Sequence, residues 1–272
     1  MSEARRAMNR IDAKFAELRA AGRKAFIPFV TAGDPTLELT ERLVLHFARL
    51  GASVVELGVP FSDPLADGPT IQASYTRVLG RGQRLDDTFE LIRRIRRKTD
   101  IPLVTMVSYS IVYKRGVERY VREAVEAGAD GAIVPDLAVE EADELVRAAR
   151  ARDFKTVFLV SPETTPERAR RVAELSTGFV YCQAVLGITG ARAELSKGLP
   201  AMIKRLRKLT DKPLCVGFGI SKREHAALLK DLADGVIVGS ALIGRIAEHL
   251  GSPRAIESSV TELARSIISG LD

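Results

Sequence analysis

Between Val54 and Gln72 the chain reads Val-Val-Glu-Leu-Gly-Val-Pro-Phe-Ser-Asp-Pro-Leu-Ala-Asp-Gly-Pro-Thr-Ile-Gln, and three carboxylates fall in it: Glu56, Asp63 and Asp67. Glu56 lies inside an apolar run, Val54 to Leu57. An ionisable group there costs free energy unless it is paired, hydrogen-bonded or neutral. Burial raises a carboxyl pKa toward the range useful for proton transfer. Asp67 follows in a loop whose three prolines, Pro60, Pro64 and Pro69, fix φ and lower the entropy of the open chain. Two carboxylates in unlike surroundings can divide the acid and base roles of one reaction. Each also has a plainer reading, Glu56 as the partner of a nearby Lys or Arg and Asp67 as a turn residue before Gly68.

Two further segments have the makings of a phosphate holder. Gly217-Phe218-Gly219-Ile220-Ser221 follows an apolar run and opens a helical pattern, and Gly239-Ser240 follows another and opens a short helical turn. Glycine lets backbone N–H groups approach an oxyanion, and a helix N-terminus favours negative charge. Either turn alone is weak evidence, because tight strand-to-helix turns use glycine anyway. The segment Ala184–Glu194 carries Gly187, Thr189 and Gly190 and has the length of a mobile lid or of an ordinary connector. The histidines, His46, His225 and His249, fall inside helical patterns and read as surface or helix-packing residues.

These side chains need a scaffold, and the apolar pattern supplies one. Candidate strands are Ala25–Val30, Val54–Leu57, Leu103–Val107, Gly131–Val134, Thr156–Val160, Phe179–Cys182, Leu214–Gly217 and Val236–Val238. Helical patterns lie between them, at 37–50, 85–98, 116–127, 140–152, 166–175, 195–208 and 222–232, with a last one at 256–268 and an amphipathic one within residues 1–20. The strands are near-continuous apolar runs, as in a sheet buried on both faces. Eight such units in 272 residues predict a single (β/α)8 TIM barrel spanning 1–272 with an extra N-terminal helix. In that fold the site lies at the C-terminal ends of the strands, which puts Glu56, Asp67 and the glycine turns after strands seven and eight at one mouth. A doubly wound sheet predicts a Gly-rich nucleotide fingerprint after strand one, where this chain has Thr-Ala-Gly-Asp-Pro.

Composition narrows the functional class. The chain is 46% hydrophobic and 28% charged with a net charge of +6, which suits a globular protein that takes anionic small molecules. The densest basic cluster, Arg93, Arg94, Arg96, Arg97 and Lys98, reads as the solvated face of an amphipathic helix, without the interleaved aromatics of a nucleic-acid platform. Cys182 and Cys215 sit in apolar runs and read as buried free thiols of a reducing cytoplasm. No Cys/His spacing resembles a metal site, no apolar run approaches membrane-spanning length, and the N-terminal residues do not read as a signal peptide.

The Glu-Leu-Gly-Val-Pro-Phe-Ser-Asp-Pro-Leu-Ala-Asp-Gly-Pro-Thr-Ile-Gln run closely resembles the signature of the tryptophan synthase alpha chain family. So do Phe29-Val30-Thr31-Ala32-Gly33-Asp34-Pro35, Pro135-Asp136-Leu137, Gly187-Ile188-Thr189-Gly190 and Gly217-Phe218-Gly219-Ile220. The resemblance implies retro-aldol cleavage of indole-3-glycerol phosphate to indole and glyceraldehyde 3-phosphate, with no metal and no organic cofactor in this chain. It implies Glu56 as the acid/base at indole C3 and the glycerol hydroxyl, and Asp67 as acceptor of the indole N–H. It further implies Tyr181 as a site tyrosine and Thr189 closing onto Asp67. Gly190, Gly219, Gly239 and Ser240 match the phosphate-binding backbone, and Phe26, Leu159 and Phe218 match the apolar wall of the indole slot. The implied partner is a pyridoxal-phosphate beta chain in an alpha2-beta2 heterotetramer, touched by the loop carrying Asp63. The chain departs from the family pattern at Ser108-Tyr109-Ser110-Ile111, where Tyr-Asn-Pro is common, and at Ala184-Val185-Leu186, where an arginine is common. A stand-alone lyase and an allosteric subunit with slack catalysis are the alternatives; the intact Glu56 and Asp67 argue against the second.

Overall fold

The computed structural model describes residues 8–64, 67–184, 187–189, 192–194, 198–217 and 219–272; of 187–189 and 192–194 it describes the backbone. The predicted strands form one parallel sheet: β1 (Ala25–Thr31), β2 (Val55–Gly58), β3 (Leu103–Met106), β4 (Gly131–Ile133), β5 (Lys155–Val157 continuing as Leu159–Val160), β6 (Val180–Gln183), β7 (Leu214–Gly217) and β8 (Gly235–Val238). The first half of β5 pairs with β4 and its second half with β6, and β8 pairs with both β7 and β1. The strand is interrupted only at Phe158, whose carbonyl accepts the Tyr181 N–H at 3.0 Å. The sheet therefore closes on itself into a (β/α)8 barrel. Every residue of β1–β4, β7 and β8 is buried, which is why these strands read as unbroken apolar runs rather than alternating ones.

Helices wrap the outside, burying apolar stripes against the strands. The helix Leu37–Arg49, capped by the Thr36 side chain accepting from Leu39 N–H, turns Leu39, Leu43, Val44 and Phe47 inward. The N-terminal helix Arg10–Ala20 plugs the far end of the barrel with Ile11, Phe15 and Leu18, and Phe15 packs on Phe179 at a centroid distance of 5.9 Å. Asn9 fixes its start: the side chain accepts the Ile11 N–H and donates to the Asp130 and Asp153 carbonyls, which precede β4 and β5.

Three elements escaped the sequence reading: the helices Pro69–Leu79 and Tyr109–Arg115, and the full extent of Ser240–Glu248, expected only as a short turn. The backbones of Gly187–Thr189 and Arg192–Glu194 pair as an antiparallel hairpin within the segment read as a loop. The basic cluster is not simply a solvated face. The Arg96 guanidinium turns inward to the Gly128, Thr99 and Ile101 carbonyls and the Asp130 carboxylate. Arg94 and Lys98 pair with the buried carboxylate of Glu41. Cys182 and Cys215 are buried and free, as expected.

Candidate active site

Parallel register fixes Glu56 between Phe29 on β1 and Val104 on β3. Its carboxyl faces a cavity of about 260 Å³ at the C-terminal mouth of the barrel, lined also by Phe29, Asp67, Met106, Tyr181, Gly219, Ile237, Gly239 and Ser240. The side chain is fully buried, and Oε1 has no hydrogen-bond partner among the described residues. Desolvation pushes its pKa up to about 8. The group is thus protonated at neutral pH and able to donate a proton to whatever fills the cavity. The nearby Lys or Arg of the plainer reading does not pair with it among the described residues.

Asp67 lies on the same cavity, in the turn before the helix Pro69–Leu79. Its N–H bonds the Pro64 carbonyl at 3.0 Å, and its carbonyl accepts from the Gln72 side chain at 2.8 Å. Pro69 at the first helical position suits this abrupt start. Burial, and secondly the charge of Asp136, raise the Asp67 pKa to about 6. At pH 7 it is mostly ionised while Glu56 is mostly neutral, so the two carboxyls hold opposite roles. The helix that follows is clamped to the loop after β1. Asp34, whose carboxylate is wholly buried, takes Arg77 Nε at 3.0 Å and Nη2 at 2.7 Å, and Thr31 Oγ1 meets Ser74 Oγ at 2.6 Å.

Tyr181 is buried on β6 in register with Cys215. Burial, and then the nearby charges of Glu56 and Asp67, hold its phenol well above the ordinary range. Glycine at 217 makes room for it: a Cβ there would stand 2.3 Å from Tyr181 Oη. Gly58 does the same for the ring of Phe29, 2.5 Å from its ideal Cβ position. Gly219 has φ +78, a conformation that glycine adopts without strain, and Gly239 is the N-cap of the helix beginning at Ser240. The two glycine turns therefore do meet at one cavity, beside the carboxylates.

Other expectations fare differently. Phe26 does not line the cavity. It alternates to the outer face of β1 and packs edge-on against Phe47 at 6.5 Å, whereas Phe29 lines the cavity. Leu159 lines a neighbouring cavity of about 350 Å³ with Gln183 and Ser161. Gly190 and Phe218, the Thr189 side chain and the other lid side chains beyond Ala184 lie outside the described residues. Asp63 is exposed and shares with Asp67, Ser108 and Asp136 a second cavity of about 160 Å³. The sequence reading missed Tyr75, a buried phenol on that cavity whose pKa is raised by burial and then by the charges of Asp67 and Glu56. The helical spacing of Ile71, Tyr75 and Val78 is the signal that would have found it.

The model of a family described as tryptophan synthase alpha chain matches residues 15–270. The chain is 43% identical over 264 residues to the tryptophan synthase alpha chain of a Thermoanaerobacter species, covering 97% of this chain and 98% of that protein. It is 47% identical over 244 residues to that of Rhodopirellula baltica, covering 89% and 88%. Among solved structures it is similar to tryptophan synthase subunit alpha from Legionella pneumophila, at 36% identity and a TM-score of 0.88 over 98% of this chain and 99% of that one. A chain of an aminoacrylate-bound tryptophan synthase from M. tuberculosis gives 31% and 0.86, over 97% of this chain and 100% of that one.

Proposed function

Because the chain belongs to the tryptophan synthase alpha chain family, we propose that its described cavity is the place where indole-3-glycerol phosphate is cleaved, with Glu56 and Asp67 as the catalytic residues. The protein is a carbon–carbon lyase of L-tryptophan biosynthesis. It performs a retro-aldol cleavage to indole and glyceraldehyde 3-phosphate, the indole passing to a beta subunit.

Neutral Glu56 protonates indole C3, and the Asp67 carboxylate accepts the indole N–H and offsets the positive charge that appears there. The Glu56 carboxylate then takes the proton of the hydroxyl on the carbon bonded to C3. That carbon–carbon bond breaks, its electron pair restores the indole ring, the former alcohol becomes the aldehyde, and Glu56 ends protonated as it began. Tyr181 and Phe29 flank the ring. Gly219, Gly239 and Ser240 hold the phosphate with backbone N–H groups and the N-terminus of the helix Ser240–Glu248. Thr189, Gly190 and Phe218 join this set by resemblance alone. The observation that carries the reading is the buried Glu56, facing a cavity that Asp67 and both glycine turns also line.

The chain acts as one barrel domain, needs no cofactor of its own, and assembles in the cytoplasm as an alpha2-beta2 complex with a pyridoxal-phosphate beta chain. The cavity of Asp63, Ser108 and Asp136 offers that partner an acidic rim. No helix among the described residues is long and apolar enough to cross a membrane. Indole release from indole-3-glycerol phosphate, measured with and without a purified beta chain, tests the reading. Release that the beta chain accelerates supports the complex. Release that a beta chain does not alter would leave a stand-alone lyase, and no release at all would refute the assignment of the cavity.

A further inference from the structure

His225 stands outside the machinery described above, yet its side chain folds back onto it. It lies on the helix Arg223–Leu229, and its Nδ1 is 3.2 Å from the Ser221 nitrogen and 3.1 Å from the Gly219 carbonyl oxygen. One ring atom thus reaches both ends of the turn Gly219–Ser221. With its proton on Nε2 the ring accepts the Ser221 N–H at Nδ1, and with a proton on Nδ1 it donates from the same atom to the Gly219 carbonyl. Either form ties the turn to the helix. Among the described residues no backbone-to-backbone hydrogen bond holds Gly219, Ile220 or Ser221. The turn is exposed at Ser221, carries the left-handed Gly219, and has no other fastening among them. It nevertheless forms part of the cavity wall, through Gly219 and Ile220, together with Gly239 and Ser240.

We propose that His225 is the positioning residue of the phosphate-binding turn. The imidazole fixes the turn, engages its Ser221 end, and leaves the N–H groups of Gly219 and Ile220 free for the anion. This rests on the reading of Gly219, Gly239 and Ser240 as the phosphate site. The ring acts on affinity for the phosphate end of the substrate and leaves the proton chemistry at Glu56 alone.

The test compares wild type, His225→Leu and His225→Gln, binding sn-glycerol 3-phosphate and, separately, indole, with the kinetics of indole release from indole-3-glycerol phosphate. His225→Leu should weaken glycerol phosphate roughly three- to tenfold, the range of one hydrogen bond, and raise KM by a similar factor. Its kcat should change less than its KM, and its indole affinity should stay near that of wild type. His225→Gln, whose amide can both accept and donate, should recover most of the loss. Unchanged glycerol phosphate binding in His225→Leu would overturn the proposal, as would equal losses for both ligands, a fall in kcat with KM unaltered, or no recovery in His225→Gln. Wild type is measured first: if it does not bind glycerol phosphate, the phosphate site itself falls, a failure distinct from the loss of the His225 role alone.

Discussion

Glu56→Gln should inactivate the protein and make it more stable. Folding holds the Glu56 carboxyl at a pKa of about 8, against 4.5 for an ordinary glutamate. Between those values the unfolded chain has lost the proton that the folded chain keeps. Stability of the wild type therefore falls as pH rises, by about 1.4 kcal/mol per pH unit from this one group. Below pH 4.5 both states are protonated and the contribution vanishes; above pH 8 both are ionised and it levels off. At pH 7 it amounts to about 3 kcal/mol, or roughly 6–12 °C in Tm at the usual conversion for a chain of this size. An amide cannot ionise, so the variant escapes this loss. Urea unfolding of both proteins at pH 5, 6, 7 and 8 gives the difference directly, and most other titrating groups cancel in it. A stability gap that widens with pH across that window is the expected result, whatever fixed offset the amide adds through its packing. A gap that stays flat would show that Glu56 ionises freely in the folded state, and the proton-donor role would fall with it.

Arg77→Met strands the wholly buried Asp34 carboxylate without its two hydrogen bonds. It should cost about 3–5 kcal/mol by denaturant unfolding; a cost under about 1 kcal/mol would mean that the clamp on the helix Pro69–Leu79 does little. Gly217→Ala places a Cβ 2.3 Å from Tyr181 Oη. Overpacking of this kind costs about 1–3 kcal/mol, and the displaced phenol should lower kcat; full activity would mean that Tyr181 can move without consequence. Gly239→Asp leaves the fold intact, since its Cβ would meet Phe29 at an ordinary 3.6 Å. Its carboxylate should repel the substrate phosphate and raise KM by roughly ten- to a hundredfold, and an unchanged KM would place the phosphate elsewhere.

The barrel was legible because its strands are buried on both faces and so appear as continuous apolar runs between helical patterns. Glu56 stood out for the same reason, a lone carboxylate in such a run. What alternation within a strand decides was harder to see. Phe26 and Phe29 belong to one apolar run, and only the inward or outward sense of β1 sends Phe26 to Phe47 and Phe29 to the cavity. The helix Pro69–Leu79 was hidden by the loop chemistry before it, and with it Tyr75 and the Arg77 clamp to Asp34. His225 sits in a helical pattern, as read, but its reach back to Ser221 depends on how tightly the preceding turn is wound. The role of Arg96 likewise became visible only when the turn at Gly128 and the Asp130 carboxylate were placed against it.

The most direct test of the account is turnover of indole-3-glycerol phosphate by purified Glu56→Gln beside wild type, with circular dichroism to confirm that both are folded. Indole release should fall on the order of 10²–10⁴-fold, the usual loss on removing a positioned general acid, while the spectrum is unchanged. A folded Glu56→Gln protein that releases indole at close to the wild-type rate would contradict it.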